Sequence, residues 1–371
     1  MTGRPPRPPS AGPSPRAGAE RIGLVSAGPG TVTTIEPDVP PRAVAYREPT
    51  GEPLAPADPE KEVPVTGRDG TRAPRPFPEG PGTPAGPGGA AGSGAVGLVL
   101  ARPARLLGVE PFFMEFITGI EERLAERGMS VLLHIVGTHD AETEAYRRWA
   151  ARRLVDAVVV VNLTGGDRRP RVLRELGLPF LLAGTWEEDP AAPAVRTDDA
   201  GPVRDALGHL LGLGHRRVAR VSGPSELLHT RARTAALLQG CREAGVPEPV
   251  TVEGDYSHEA GERLTVGLLQ GPEPPTAILY DNDVMAVAGL GAARDLGVDV
   301  PGRLSLVAWD DSTLCRLASP ALTTMSVDVH RYGFSVAESV LELIDGRPVR
   351  ERWSPTARCV PRGSTARRAE T

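Results

Sequence analysis

The chain has 371 residues, room for two or three domains, and its formal net charge of −5 excludes the strongly basic balance of a general nucleic-acid coat. Three cysteines without paired spacing give neither a disulfide framework nor a zinc site, and no apolar run is long enough to span a bilayer or serve as an export signal. These features predict a cytoplasmic protein without cofactor, metal site or membrane contact.

Residues 1–94 carry runs such as Pro5-Pro6-Arg7-Pro8-Pro9 and Pro84-Ala85-Gly86-Pro87, and their acidic and basic residues balance. Such a segment has too little apolar surface to offset its ordering entropy, and too little positive charge to grip phosphate. It is expected to be a disordered tail.

From Ala95 the pattern becomes regular. Val96–Leu100, Val131–Val136, Ala157–Val161 and Pro179–Ala183 read as strands, separated by helices over Glu115–Arg127, Ala141–Arg153 and Arg169–Leu176. A second series follows, with strands at Val218–Ser222, Val250–Glu253, Ala277–Tyr280 and Ser305–Trp309. Its helices are 201–213, Arg231–Ala244, Glu259–Leu269 and Asp283–Leu296. Leu322–Val329 reads as a crossing strand, His330–Ile344 as a helix and Thr356–Pro361 as a closing strand. Apolar β-rich runs alternating with helices predict an α/β architecture of two lobes, each a parallel sheet covered on both faces. Ligands of such sheets sit at the carboxyl ends of the strands, here between the lobes. The segment Leu306-Val307-Ala308-Trp309-Asp310-Asp311, an apolar strand ending in two carboxylates, is the sharpest pointer to that cleft.

An enzyme needs a reacting constellation, and none is legible. Gly-x-x-x-x-Gly-Lys and Gly-x-Ser-x-Gly are absent, as are His-x-x-x-His and Cys-x-x-Cys spacings. The chain is therefore read as a non-enzyme with no catalytic residues.

Several segments stand in the order found in one family. These are Pro111-Phe112-Phe113, Gly212-Leu213-Gly214-His215-Arg216-Arg217-Val218, Gly223-Pro224 with Arg233 beyond it, Asp281-Asn282-Asp283-Val284, Trp309-Asp310-Asp311, Leu322-Thr323-Thr324 and Pro361-Arg362-Gly363-Ser364. The set resembles the LacI/GalR family of bacterial transcriptional regulators over about residues 95–364. The resemblance implies two Rossmann-like lobes with three crossovers, a periplasmic-binding-protein-like type I core that forms a homodimer and holds a sugar-like effector. In this reading the first lobe comprises 95–183 plus 328–352, the second 184–327 plus 353–364, and 365–371 is a tail. The family's DNA-recognition unit has no counterpart in residues 1–94, which show no pair of short helices around a glycine turn. A transport solute-binding protein is the alternative, and it would need export.

The resemblance places Asp310, Arg233, Asn282, Tyr256, Phe113, Phe112 and His229 at the effector. Each has a plainer reading. Asp310 or Asp311 caps a helix, Arg233 lies on a solvated face, and Asn282 is a turn residue or cap, with Asp283 the better candidate cap of its helix. Tyr256 and His229 are loop residues, and Phe112 and Phe113 belong to the core. Val327, where relatives carry a polar residue, implies either a less polar wall on that side or a ligand held from Asp328.

Overall fold

The computed structural model describes residues 92–103 and 110–368. The expected disordered tail therefore lies outside the described residues apart from its last three. Of these, Ser93 and Gly94 are tied down, their N–H groups donating to the two carboxylate oxygens of Asp156 at 2.7 and 2.9 Å.

In chain order the elements are β1 (Ala95–Ala101), α1 (Pro111–Ala125), β2 (Ser130–Val136), α2 (His139–Arg152), β3 (Ala157–Val160), α3 (Arg169–Glu175), β4 (Phe180–Ala183) and β5 (Ala194–Arg196). Then come α4 (Gly201–Gly212), β6 (Val218–Ser222), α5 (Leu228–Glu243), β7 (Val250–Glu253), α6 (His258–Gln270), β8 (Ala277–Tyr280), α7 (Asp283–Asp295) and β9 (Ser305–Trp309). The chain closes with α8 (Thr313–Leu317), β10 (Thr323–Ser326), α9 (Val329–Ile344), β11 (Arg352–Trp353) and β12 (Arg358–Val360).

Two six-stranded sheets result, with orders β11-β5-β4-β3-β1-β2 and β12-β10-β9-β8-β6-β7. Every pairing is parallel except β12 on β10. The chain crosses between sheets three times, after β5, after β10 and after β11. The first crossing lies beyond Arg196, not at 184 as the sequence implied, because β5 completes the first sheet. Three residues are too few to show a strand period.

Alternation along each central strand feeds two cores, because successive side chains point to opposite faces. In the first lobe Val96, Leu98 and Leu100 pack under α1 and α9 with Phe116, Ile120, Val336 and Val340. Val99, Val158 and Val160 face Tyr146, Trp149 and Leu173 from α2 and α3. In the second lobe Ile278 and Leu306 face α6 and α7, while Leu279 and Val307 face α4 and α5.

Helices α1 and α9 meet backbone to backbone. A Cβ on Gly119 would stand 2.0 Å from the His330 carbonyl oxygen, and one on Gly333 2.0 Å from that of Phe116. Only hydrogen side chains permit this approach.

The expected tail at 365–371 is corrected as far as it is described. Ala366 N–H donates to Ser305 Oγ at 3.2 Å and Arg368 N–H to the Leu213 carbonyl at 2.9 Å, so residues 365–368 are bound to the second lobe. Cys241, Cys315 and Cys359 are all free thiols.

Candidate functional site

The carboxyl ends of strands from both sheets open on one cavity of about 980 Å³. The lobes also touch across its rim. Leu228 N–H donates to the Leu163 carbonyl at 2.9 Å, and Thr164 bridges to Leu227.

Asp310 follows β9 directly and adopts φ +67°, a left-handed conformation that is uncommon for a non-glycine residue. Its N–H donates to the Met325 carbonyl at 3.1 Å, which fixes the turn. Its Oδ1 is shut away from solvent with no hydrogen-bond partner among the described residues. Burial, with Asp283, Glu110 and Asp281 adding to it against Arg233, pushes the Asp310 carboxyl up to about 8. At neutral pH it is mostly a neutral acid. Neighbouring Asp311 is different. Although burial opposes it, the Arg362 guanidinium, donating to both its oxygens at 2.7 and 2.8 Å, holds it below the usual carboxylate range.

Arg233 sits in α5 with its side chain only 12% exposed. Its Nε and Nη2 donate to Asp199 Oδ1 at 3.2 and 3.1 Å, and its guanidinium carbon lies 3.7 Å from the centroid of the Trp309 ring. Despite burial, Arg233 and His229 hold Asp199 below its ordinary range. One turn earlier, His229 Nε2 is 2.9 Å from the Tyr256 hydroxyl. Burial and the Arg233 charge push the imidazole down to about 4, so it is neutral at physiological pH. Tyr256 also has a left-handed backbone (φ +69°), and burial pushes its phenol up to about 12.

Asn282 is the N-cap of α7. Its Oδ1 accepts from Met285 N–H at 2.9 Å while its Nδ2 donates to the Tyr256 carbonyl at 3.0 Å. Asp283, expected as the cap, instead accepts from the adjacent Val284 N–H at 2.8 Å, and its Oδ2 has no partner among the described residues. Burial raises its carboxyl.

Arg102, at the end of β1, forms an ion pair with Glu110 and lies 4.9 Å from the ring centroids of both Phe113 and Tyr256. It thereby joins a first-lobe aromatic to a second-lobe one. Beneath the floor, Arg220 is 1% exposed and grips Asp281 with bonds of 2.8 and 2.6 Å.

The sequence signature described as "Periplasmic binding protein-like domain" matches residues 207–365. The "HTH-type transcriptional regulator CelR" of Thermobifida fusca is 30% identical over 266 residues, covering 69% of this chain and 77% of that protein. A crystal structure of a LacI family transcriptional regulator from Bifidobacterium animalis subsp. lactis superposes with a TM-score of 0.69 at 34% identity, covering 75% of this chain and 100% of that one. The chain belongs to the LacI family of transcriptional regulators. A transcriptional regulator CelR–cellobiose complex is also similar, with TM-score 0.67 and 26% identity over 73% of this chain and 84% of that one. The "HTH-type transcriptional repressor CytR" of Escherichia coli is 28% identical, covering 65% of this chain and 71% of that protein.

All seven residues singled out from the regulator's sequence line the cavity: Asp310, Arg233, Asn282, Tyr256, Phe113, Phe112 and His229. The plainer reading of Asn282 holds alongside this, since it caps a helix while facing the cleft. Phe113 likewise belongs to the core, at 3% exposure. Val327 forms part of the cavity wall, on the side where an apolar residue was expected.

Sequence reasoning missed Arg102, Glu110, Asp199, Trp186, Trp309 and Trp353, which also line it. Trp186 stands just beyond β4 and Trp353 in β11 at the third crossing, positions that strand-end reasoning would flag once those strands are drawn. Asp199 lies in the first crossing, 34 residues before its partner Arg233, and nothing local marks the pair.

Among the described residues no group of three or more His, Cys, Asp or Glu side chains is placed to hold a metal ion. No helix among them is long and apolar enough to cross a membrane.

Proposed function

We propose that this regulator senses a carbohydrate in the interlobe cavity, and that occupancy biases the closure of the two lobes. The observation that carries the reading is the convergence of Asp310, Arg233 and Trp309. An unmatched carboxyl, a clamped planar cation and an aromatic face meet at one end of an enclosed space. Hydroxyl groups need acceptors and donors at fixed positions, and the apolar faces of a sugar ring pack on flat aromatics. The cavity lies at the upper end of the size range of small-molecule sites. That leaves room for a disaccharide, and the relative solved with cellobiose supports the class.

An effector can shift lobe closure only by its differential affinity for the open and closed states. Contacts that span the lobes, such as Arg102 between Phe113 and Tyr256, supply that difference. Similarity to regulators along most of the core favours this role over that of a transport carrier.

Three of the four tryptophans, Trp186, Trp309 and Trp353, line the cavity, so intrinsic fluorescence reports on occupancy. Titration with glucose, cellobiose, maltose, sucrose, trehalose, adenosine and cytidine is expected to give a saturable change with at least one sugar. Saturation by a nucleoside alone would replace the carbohydrate reading with a nucleoside one.

A further inference from the structure

We propose that the cleft discriminates by charge: it takes an uncharged polyhydroxyl ligand and rejects the phosphorylated or C1-oxidised form of the same sugar. This rests on the carbohydrate reading above and adds the class of sugar.

Three arginines and eight carboxyl groups line the cavity, and the inner cations are neutralised from within the wall. Arg102 is paired with Glu110 and covered by two aromatic rings. Arg233 is spent on Asp199, its Nη2 3.1 Å from the carboxylate, with Trp309 over its face. Arg231, at the exposed mouth, donates its Nε to the Ser225 carbonyl at 2.7 Å. At the inner end a phosphate or carboxylate on the ligand would have to break one of these pairs and leave a buried carboxylate without its partner. Breaking a buried pair in this way is strongly unfavourable.

The wall also narrows the second route by which a cleft of this fold binds anions. Helix N-termini present free N–H groups that attract phosphate. Four such termini border the cavity; those of α7 and α4 are occupied by side chains of its own wall, while those of α1 and α5 carry no side-chain cap. Asn282 and Asp283 take the Met285 and Val284 N–H groups of α7. Asp198 Oδ1 accepts from Ala200 and Gly201 at the start of α4, at 3.1 and 2.8 Å.

Of the three unmatched groups that the described residues place on the wall, one is a donor, the Trp186 Nε1–H, and two are acidic. Asp310 Oδ1 and Asp283 Oδ2 have no hydrogen-bond partner among the described residues. With eight carboxyl groups against three arginines in the lining, an anion in the cavity meets net repulsion. A hydroxyl brings only a donor.

Calorimetry on the full chain with four matched pairs tests this. The pairs are cellobiose with cellobionate, maltose with maltobionate, sucrose with sucrose 6-phosphate, and trehalose with trehalose 6-phosphate. For any pair whose neutral member binds, the charged member is expected to bind at least tenfold more weakly. Glu110→Gln, which frees Arg102, is expected to narrow that gap. A charged member that binds as tightly as its neutral partner, or binds alone, overturns the charge rule and leaves the carbohydrate reading standing. Binding of none of the eight removes both.

Discussion

The guanidinium of Arg233 lies 3.7 Å from the ring centroid of Trp309 while its edge is held by Asp199. The three residues come from α5, the end of β9 and the first crossing between the lobes. The cation is thus fixed in plane and in direction before any effector arrives, which lowers the ordering cost of binding.

Lysine at 233 keeps the charge but loses both the planar fork and the stack. Arg233→Lys is expected to weaken effector binding about tenfold or more, in line with about 1–2 kcal/mol for a desolvated cation–aromatic contact. Trp309→Phe should weaken it less than Trp309→Ala. Calorimetric Kd values on folded variants decide the matter, and equal affinity in wild type and Arg233→Lys would remove the fork from the site.

The two lobes and their central strands were legible because buried parallel strands are apolar, β-rich runs, whereas β5 and β11, three and two residues long, show no such run. Asp310, Asn282 and Tyr256 were legible for a related reason: each stands just past a strand end, where the fold exposes side chains to the cleft. The helix bearing Arg233 begins at Leu228, not at Arg231, which sets His229 and Arg233 on adjacent turns of one face. Partnerships formed by folding were not legible. Nothing in the order of residues couples Asp199 to Arg233, or Arg102 to both Phe113 and Tyr256. The sequence also does not show that burial beside Asp283 and Glu110 leaves Asp310 protonated at neutral pH.

That protonation has a consequence for binding. A ligand hydroxyl that donates to Asp310 selects its ionised form, so binding expels a proton below about pH 8. Affinity is expected to rise between pH 6 and 8, by up to about tenfold per unit, and to level off above. Asp283, Glu110, Asp281 and Arg233 also face this carboxyl, while His229, pushed down to about 4, stays neutral throughout the window. Calorimetry in buffers of different ionisation enthalpy reads the released proton directly. Asp310→Asn should abolish both the release and the pH slope; a slope surviving in that variant assigns it to another group.

Folding stability carries the same group with its own sign. Asp310 titrates near 3.8 when unfolded and near 8 when folded, so the folded state holds the extra proton between those values. Its contribution is fully present below about pH 4 and is lost as pH rises to about 8. The stability of wild type minus that of Asp310→Asn is therefore expected to fall by about 1 kcal/mol per pH unit across this window. His229 runs the other way. Its folded value of about 4 lies below 6.5, so its contribution is present above pH 6.5 and is lost as pH falls toward 4. Urea denaturation of wild type, Asp310→Asn and His229→Gln from pH 5 to 8 separates the two, and parallel curves would contradict both assignments.

Beneath the cleft, Arg220 and Asp281 make a fully buried ion pair, and Asp281 also accepts from Gly223 N–H at 2.9 Å. Burial works against the Asp281 charge, but Arg220 and Arg233 keep it below the usual carboxylate range. Removing the cation alone strands a carboxylate in the core of the second lobe. Arg220→Met is expected to destabilise folding by about 3–5 kcal/mol. The Arg220→Met/Asp281→Asn double variant should recover part of that loss, because the stranded charge is gone while a hydrogen-bonding group of similar shape remains near Gly223. Chemical denaturation gives both numbers. A single-variant loss under about 1 kcal/mol would show that water reaches Asp281 when Arg220 is absent, and the floor of the effector site would then be softer than its packing indicates.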